Sequence, residues 1–199
     1  MTALAKLREF AREKPAVERC ELCGAALGTR HSHLAEPAIR RLLCACEPCA
    51  ILFSGRGLSS KYARVPRDGR FLGHFQMSDA EWDGLMIPIN LAFFFHSTPA
   101  GKVVAIYPSP AGATESLLSL EAWNRIAENN PRLASMEPDV EALLVNRVSE
   151  TREYYIAPMD QCFKLVGLIR AHWRGFSGGS EVWEKIDGFF AALKEQSRA

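Results

Sequence analysis

The chain has 199 residues, of which 48% are hydrophobic and 24% charged, with a formal net charge of +1. This size and balance suit one globular domain, or a small module attached to a larger one. A near-neutral chain has no global field to draw in nucleic acid or an anionic membrane, and no apolar run approaches the roughly 20 residues of a membrane-spanning helix.

The first residues, MTALAKLREFAREK, carry charges throughout and lack the apolar stretch and small-residue cleavage site of a secretory signal. Leu4, Leu7, Phe10 and Ala11 share one face of a short amphipathic helix expected to end before Pro15. The expected compartment is therefore the cytoplasm. Thiols stay reduced there, so clustered cysteines serve metals rather than disulfides.

Residues 1–55 are expected to be this helix followed by a Cys-rich metal-binding module. Five of the six cysteines fall within residues 20–49, together with two of the five histidines. Cys20 and Cys23 have two residues between them, and Cys46 and Cys49 repeat that spacing after 22 intervening residues. Gly24 eases a tight knuckle after the first pair, and Pro48 favours a turn within the second. Between the pairs, residues 35–43 read as a strand or a short helix, and Ile51, Leu52 and Phe53 as packing beneath the site.

A tetrahedral site needs four soft or borderline ligands converging on one ion. Two Cys-x2-Cys turns brought together supply Cys20, Cys23, Cys46 and Cys49. Cys44, His31 and His33 are additional or substitute ligands, and a bridged two-metal cluster is a further arrangement of the same seven residues. A closed site holding Zn2+ is the first expectation, and Fe in the same geometry, a one-electron carrier, is the alternative. Cys44 with His33 offers an open-site combination, although a closed structural site is the first expectation. No His-Glu-x2-His and no His-x-Glu paired with Pro-Cys-x2-Cys is present.

Residues 56–74 read as a basic Gly/Ser linker. The sharper reading of the same stretch is a contact strip for RNA or an acidic partner, made of Arg56, Lys61, Arg64, Arg67 and Arg70 with Tyr62 as a stacking group.

Residues 75–199 read as one α+β domain. A buried strand is expected over residues 85–95 and a second over 102–107, with a turn at Thr98-Pro99-Ala100-Gly101 and a stop at Pro108 and Pro110. Thr114 is placed as the cap of a helix over 115–128, with Leu118, Trp123 and Ile126 on its apolar face. Strands follow over 140–148 and 154–157. Asp160 then caps a helix bearing Phe163, Val166, Ile169 and Trp173, which ends before Gly175. Ser180 caps the last helix, with Val182, Ile186, Phe189 and Leu193 at helical spacing. The order is ββαββαα, an antiparallel sheet with helices on one face, beside a small zinc-ribbon or rubredoxin-like module.

Other candidates are weaker. His96 ends the run FFFHST with no nucleophile near it in sequence. Glu137, Asp139 and Glu141 cluster in MEPDVE, where capping is the common use of such carboxylates. Cys162 reads as a small core residue. PSPAGATES lacks the glycines and lysine of a nucleotide loop, and SGGS reads as an interhelix turn.

The phrases CELCG, HSHL, LLCACEPCA, YPSPAGATESLL, MEPDVEALLVNR and LVGLIRAHWRGFSGG resemble an uncharacterised bacterial family, chiefly actinobacterial, often encoded beside uptake nickel–iron hydrogenase genes. The cysteine module is also similar to the small rubredoxins that accompany hydrogenase assembly, in which Cys20, Cys23, Cys46 and Cys49 would ligate iron. Ala50 stands where the second rubredoxin knuckle would have glycine. The segment from Trp82 through Pro88 to Phe95 faintly resembles a hydrogenase assembly chaperone. The resemblance implies a metal-binding accessory or assembly protein for a nickel–iron hydrogenase, whose partner is a hydrogenase subunit or maturation factor. The alternatives are a nucleic-acid-binding zinc ribbon, and a rubredoxin-like electron carrier or small metalloenzyme. A binding protein is expected over an enzyme.

Overall fold

The computed structural model describes residues 17–55, 61–117, 120–175 and 178–197. The expected N-terminal helix, Arg56 and Leu118 lie outside them. The architecture is α+β, with two antiparallel sheets.

The first sheet is a hairpin of β1 (Ser32–Glu36) and β2 (Arg41–Ala45) with β3 (Ala63–Arg64) added, in the order β2-β1-β3. A 3-10 turn, Pro37–Ile39, joins β1 to β2, and Arg40 closes it in the left-handed region at φ 51°. Residues 35–43 therefore hold a hairpin turn flanked by strand ends rather than a single element. Strand β2 runs straight into helix α1 (Glu47–Phe53), where Cys46 is the N-cap and Pro48 sits in the first turn. Proline suits that position because the N–H it lacks has no helical partner there anyway.

The second sheet has the order β4-β9-β8-β5-β6-β7. Its strands are β4 (Arg70–Phe71), β5 (Leu91–Ser97), β6 (Lys102–Ser109), β7 (Gly112–Ser116), β8 (Glu141–Asn146) and β9 (Glu153–Pro158). Four helices accompany it among the described residues: α2 (Asp79–Gly84), α3 (Leu120–Asn129), α4 (Met159–His172) and α5 (Gly179–Gln196).

These helices cover both faces of the sheet, not one. Phe93, Leu144 and Tyr155 pack with Cys162, Leu165, Ile186 and Phe190 on the side of α4 and α5. Phe94, Leu143 and Ile156 pack with Trp82, Trp123 and Ile126 on the side of α2 and α3. Residues alternate between the faces of a strand. A sheet covered twice therefore writes continuous apolar runs, such as LAFFF and ALLV, instead of alternating ones.

Several boundaries differ from expectation. The apolar stretch from Leu85 to Phe95 is not one strand. Ser78 and Glu81 form a capping box that starts α2, Leu85 is the C-cap of that helix, and the strand begins only at Leu91. Thr114 lies in strand β7 opposite Tyr107 and caps nothing; Pro108, opposite Ala113, remains inside β6. The helix after β7 starts at Leu120. Helix α4 has Pro158 as its N-cap, with Asp160 in its first turn, and α5 has Gly178 rather than Ser180 as its N-cap.

The stretch 56–74, read as a linker, supplies one strand to each sheet. Composition suggests solvated cations there, yet Lys61, Arg64, Arg67 and Arg70 each have a carboxylate within the chain. Lys61 pairs with Glu36 at 2.9 Å, Arg67 with Glu47 at 2.8 Å and Arg70 with Glu141 at 2.7 Å, and Arg64 also binds Glu47. Gly69 is present because the chain passes close to its neighbours. A Cβ there would lie 3.3 Å from the Ile156 carbonyl oxygen and 3.2 Å from Ser197 Oγ. Ala35, Val65 and Val140 form a small buried cluster with Leu42 where the two sheets meet. Arg40 lies over the Phe95 ring, 6.0 Å from its centroid, at the same junction.

Candidate metal centre

The first Cys-x2-Cys pair sits in a knuckle closed by backbone hydrogen bonds. Cys20 N–H donates to the Ala25 carbonyl and Gly24 N–H to the Cys20 carbonyl, both at 2.8 Å. Gly24 takes φ 74°, a conformation that costs glycine little. The second pair opens α1. Residues three apart on a helix share a face, so Cys46 and Cys49 point together. Ala50 N–H donates to the Cys46 carbonyl at 2.9 Å as that turn forms.

Glu21 ties the two halves together. Its N–H donates to the Cys44 carbonyl at 2.9 Å, and its carboxylate accepts from the Cys44 N–H at 2.8 Å and pairs with Arg41 at 2.7 Å. On the helix side, Glu47 accepts from Ser32 Oγ at 2.6 Å and from Arg67 at 2.8 Å. The Ser32 hydroxyl, followed by the Arg64 guanidinium, holds its carboxyl below the usual carboxylate range.

The result is convergence. The ligand atoms of Cys20, Cys23, Cys46 and Cys49 all lie within 4.8 Å of one another. Cys23 Sγ and Cys46 Sγ are 3.6 Å apart. A tetrahedron with metal–sulfur bonds of about 2.3 Å has edges of about 3.8 Å, so four sulfurs gathered this closely suit one ion. The thiols influence one another strongly. Burial pushes Cys20 up, but the backbone N–H groups of Cys46, Cys23 and Leu22 outweigh it and bring its pKa down to about 6. The Cys46 sulfur, then burial, pushes Cys49 up to about 12. Four sulfurs at this spacing cannot all ionise unless a cation joins them.

The three remaining candidates do not enter this group. His31, His33 and Cys44 form their own cluster, with ligand atoms again all within 4.8 Å of one another. His33 and Cys44 are directly paired across β1 and β2. His31 precedes His33 by two residues, and the ring centroids are 4.7 Å apart.

The other candidates fall outside either cluster. His96 is exposed on β5. Asp139 accepts from the Thr98 N–H at 3.0 Å and from its hydroxyl at 2.5 Å. Glu141 accepts from the Glu137 N–H at 2.9 Å and from Arg70, so Asp139 and Glu141 of MEPDVE secure turns. Cys162 is fully buried in α4. PSPAGATES is the β6–β7 hairpin, and the SGGS turn is described only from Gly178 onward. Sequence reasoning did not single out Glu21 or Glu47, and it read Asp160 only as a helix cap. Glu47, wedged between Cys46 and Pro48 at a helix start, carried some signal. Glu21 carried none, and nothing in the sequence linked Asp160 to His33, because the partners come from distant parts of the chain.

A family model matches residues 19–197. The chain belongs to the family of unknown function DUF5947. The matched span of DUF5947 includes every residue of both clusters. No curated protein and no solved structure matches the chain.

Proposed function

We propose that this DUF5947 protein is a metal-binding accessory protein that acts by contact with a protein partner, and that the partner belongs to the assembly of a nickel–iron hydrogenase. The observation that carries the binding role is the side of α1 turned away from the four cysteines. Ile51 is 62% and Leu52 75% exposed, immediately after Cys49, although both were expected to pack beneath the site. A helix fixed by a metal site and showing branched apolar side chains to water is suited to docking.

Zn2+ is the ion assigned to Cys20, Cys23, Cys46 and Cys49, because a four-sulfur tetrahedral set is a closed structural site. Its part is to hold α1 against the knuckle. The hydrogenase assignment rests on the sequence resemblance, and cytoplasmic residence accords with reduced thiols. No helix among the described residues is long and apolar enough to cross a membrane. The nucleic-acid reading has no observation in its favour, since Lys61, Arg64, Arg67 and Arg70 all bind carboxylates of this chain.

The test is genetic and biochemical together. Deleting the gene should lower the yield of mature nickel–iron hydrogenase. The wild-type chain should restore it, and the Ile51→Asp, Leu52→Asp double variant should not, while keeping its metal. Normal hydrogenase maturation in the deletion strain contradicts the assignment.

A further inference from the structure

We propose that His31, His33 and Cys44 hold a second divalent transition-metal ion of the Zn2+ class, separate from the four-cysteine site and with one coordination position open to solvent or an exogenous ligand. The inference does not depend on the identity of any protein partner.

Strand geometry builds the cluster. Side chains at positions two apart on an extended chain emerge on one face, and the residue directly opposite on the neighbouring strand joins them. His31 and His33 are two apart, and Cys44 is the cross-strand partner of His33. Their three ligand atoms lie within 4.8 Å of one another.

The histidine tautomers point the same way. His31 Nδ1 is 2.9 Å from the Gly28 carbonyl oxygen. A carbonyl can only accept, so Nδ1 carries the proton and Nε2 of the neutral ring is left as a bare lone pair. That Nε2 is buried and has no hydrogen-bond partner, the one buried side-chain nitrogen or oxygen among the described residues in that condition. The His31 side chain is only 8% exposed, so bulk water does not readily serve it. His33 repeats the arrangement, with Nδ1 3.0 Å from Asp160 Oδ2. A carboxylate or carbonyl fixing Nδ1–H while Nε2 faces a metal is the usual outer-shell support of a histidine ligand.

Two imidazoles and one thiolate give three donors. Three protein ligands leave a fourth tetrahedral position vacant, which distinguishes sites that exchange a ligand from closed structural ones. Cys44 ligates as the thiolate, and its proton passes to solvent. Asp160 stands at the start of α4, so the second ion would also couple the hairpin to the larger sheet. Asp160 is a positioning residue here, acting through His33.

The experiment uses the full chain with any affinity tag removed. It is equilibrated with buffered excess Zn2+, freed of loose metal and analysed by plasma mass spectrometry. The wild type should hold two ions. The His31→Gln, His33→Gln double variant should hold one, with an unchanged thermal unfolding midpoint for the larger sheet. Co2+ loading should give nitrogen scattering in X-ray absorption for the wild type and none for the double variant. The Asp160→Asn variant should bind the second ion about 10–100-fold more weakly while the first is unaffected. A wild type that saturates at one ion, or a second ion that survives loss of both histidines, overturns the proposal. The Cys20→Ser, Cys23→Ser variant reports separately on the four-cysteine site.

Discussion

Six cysteines share this chain, yet their surroundings assign them different chemistry. Cys162 is fully enclosed in α4, where burial drives its thiol pKa well up, so it stays protonated and inert. Cys162→Ala should leave metal content unchanged. Cys46→Ser should abolish binding at the four-cysteine site, as metal analysis of the purified variants will show. The Cys-x2-Cys repeat was legible because ligand spacing is a local property of the chain. The partition of the seven candidate ligands into two groups was not, because it depends on the register that sets His33 opposite Cys44. The contributions of Glu21 and Asp160 were equally hidden, since hydrogen bonds across the fold leave no periodicity in sequence.

Elements obey local rules where their ends are concerned. Glu81 accepts from the Ser78 N–H and hydroxyl at 2.7 and 2.8 Å, and Ser78 Oγ accepts from the Glu81 N–H at 3.2 Å. The Ser78 backbone N–H, then its hydroxyl, holds the Glu81 carboxyl below its ordinary value. A carboxyl depressed on folding adds stability above its unfolded pKa and loses it as pH falls through the depressed value. Ser78→Ala should cost about 1 kcal/mol near neutrality. The deficit of Glu81→Gln relative to wild type, followed by denaturant titration, should fade as pH drops below the usual carboxylate range.

Glycines in α5 and at its start make a second contrast. Gly188 is exposed in mid-helix with nothing near its missing Cβ, so Gly188→Ala should stabilise by about 0.5–1 kcal/mol. Gly178 has φ +87°, and a Cβ there would meet Val182 Cγ1 at 2.8 Å, so Gly178→Ala should destabilise the chain. The Ser-x2-Glu signal at Ser78 was present in the sequence. The apolar stretch beginning at Leu85 obscured it, because a helix end followed by a buried strand reads as one hydrophobic run.

On the scale of the whole molecule, the two sheets rest on different forces. The larger sheet is sandwiched by helices, and Phe94, fully buried, stacks on Trp123 at 5.3 Å and meets Trp82 edge-on at 6.4 Å. Phe94→Ala should cost about 3–5 kcal/mol in equilibrium unfolding. The cysteine module has a far smaller core of Leu34, Ala45 and Ala50 with Cys20 and Cys49 themselves. So small a cluster gains little against the entropy of ordering its loops, and an ion bound at the proposed site would supply the difference. Chelation should therefore remove amide-exchange protection from β1, β2 and the knuckle while β5 and β8 keep theirs. The α+β class and the four central strands were readable from apolar runs and turns, whereas the short edge strands β3, β4 and β7 were not, because they carry little apolar signal. The second helical layer was not, because helix order along the chain does not say which face of a sheet each helix covers.

The central claim is that four sulfurs hold one zinc ion that organises the module. Its most direct test is X-ray absorption on the His31→Gln, His33→Gln variant, which isolates the four-cysteine site. The account predicts zinc with four sulfur neighbours at about 2.3 Å. Iron at that site, nitrogen or oxygen in its first shell, or a variant that retains no metal would contradict it.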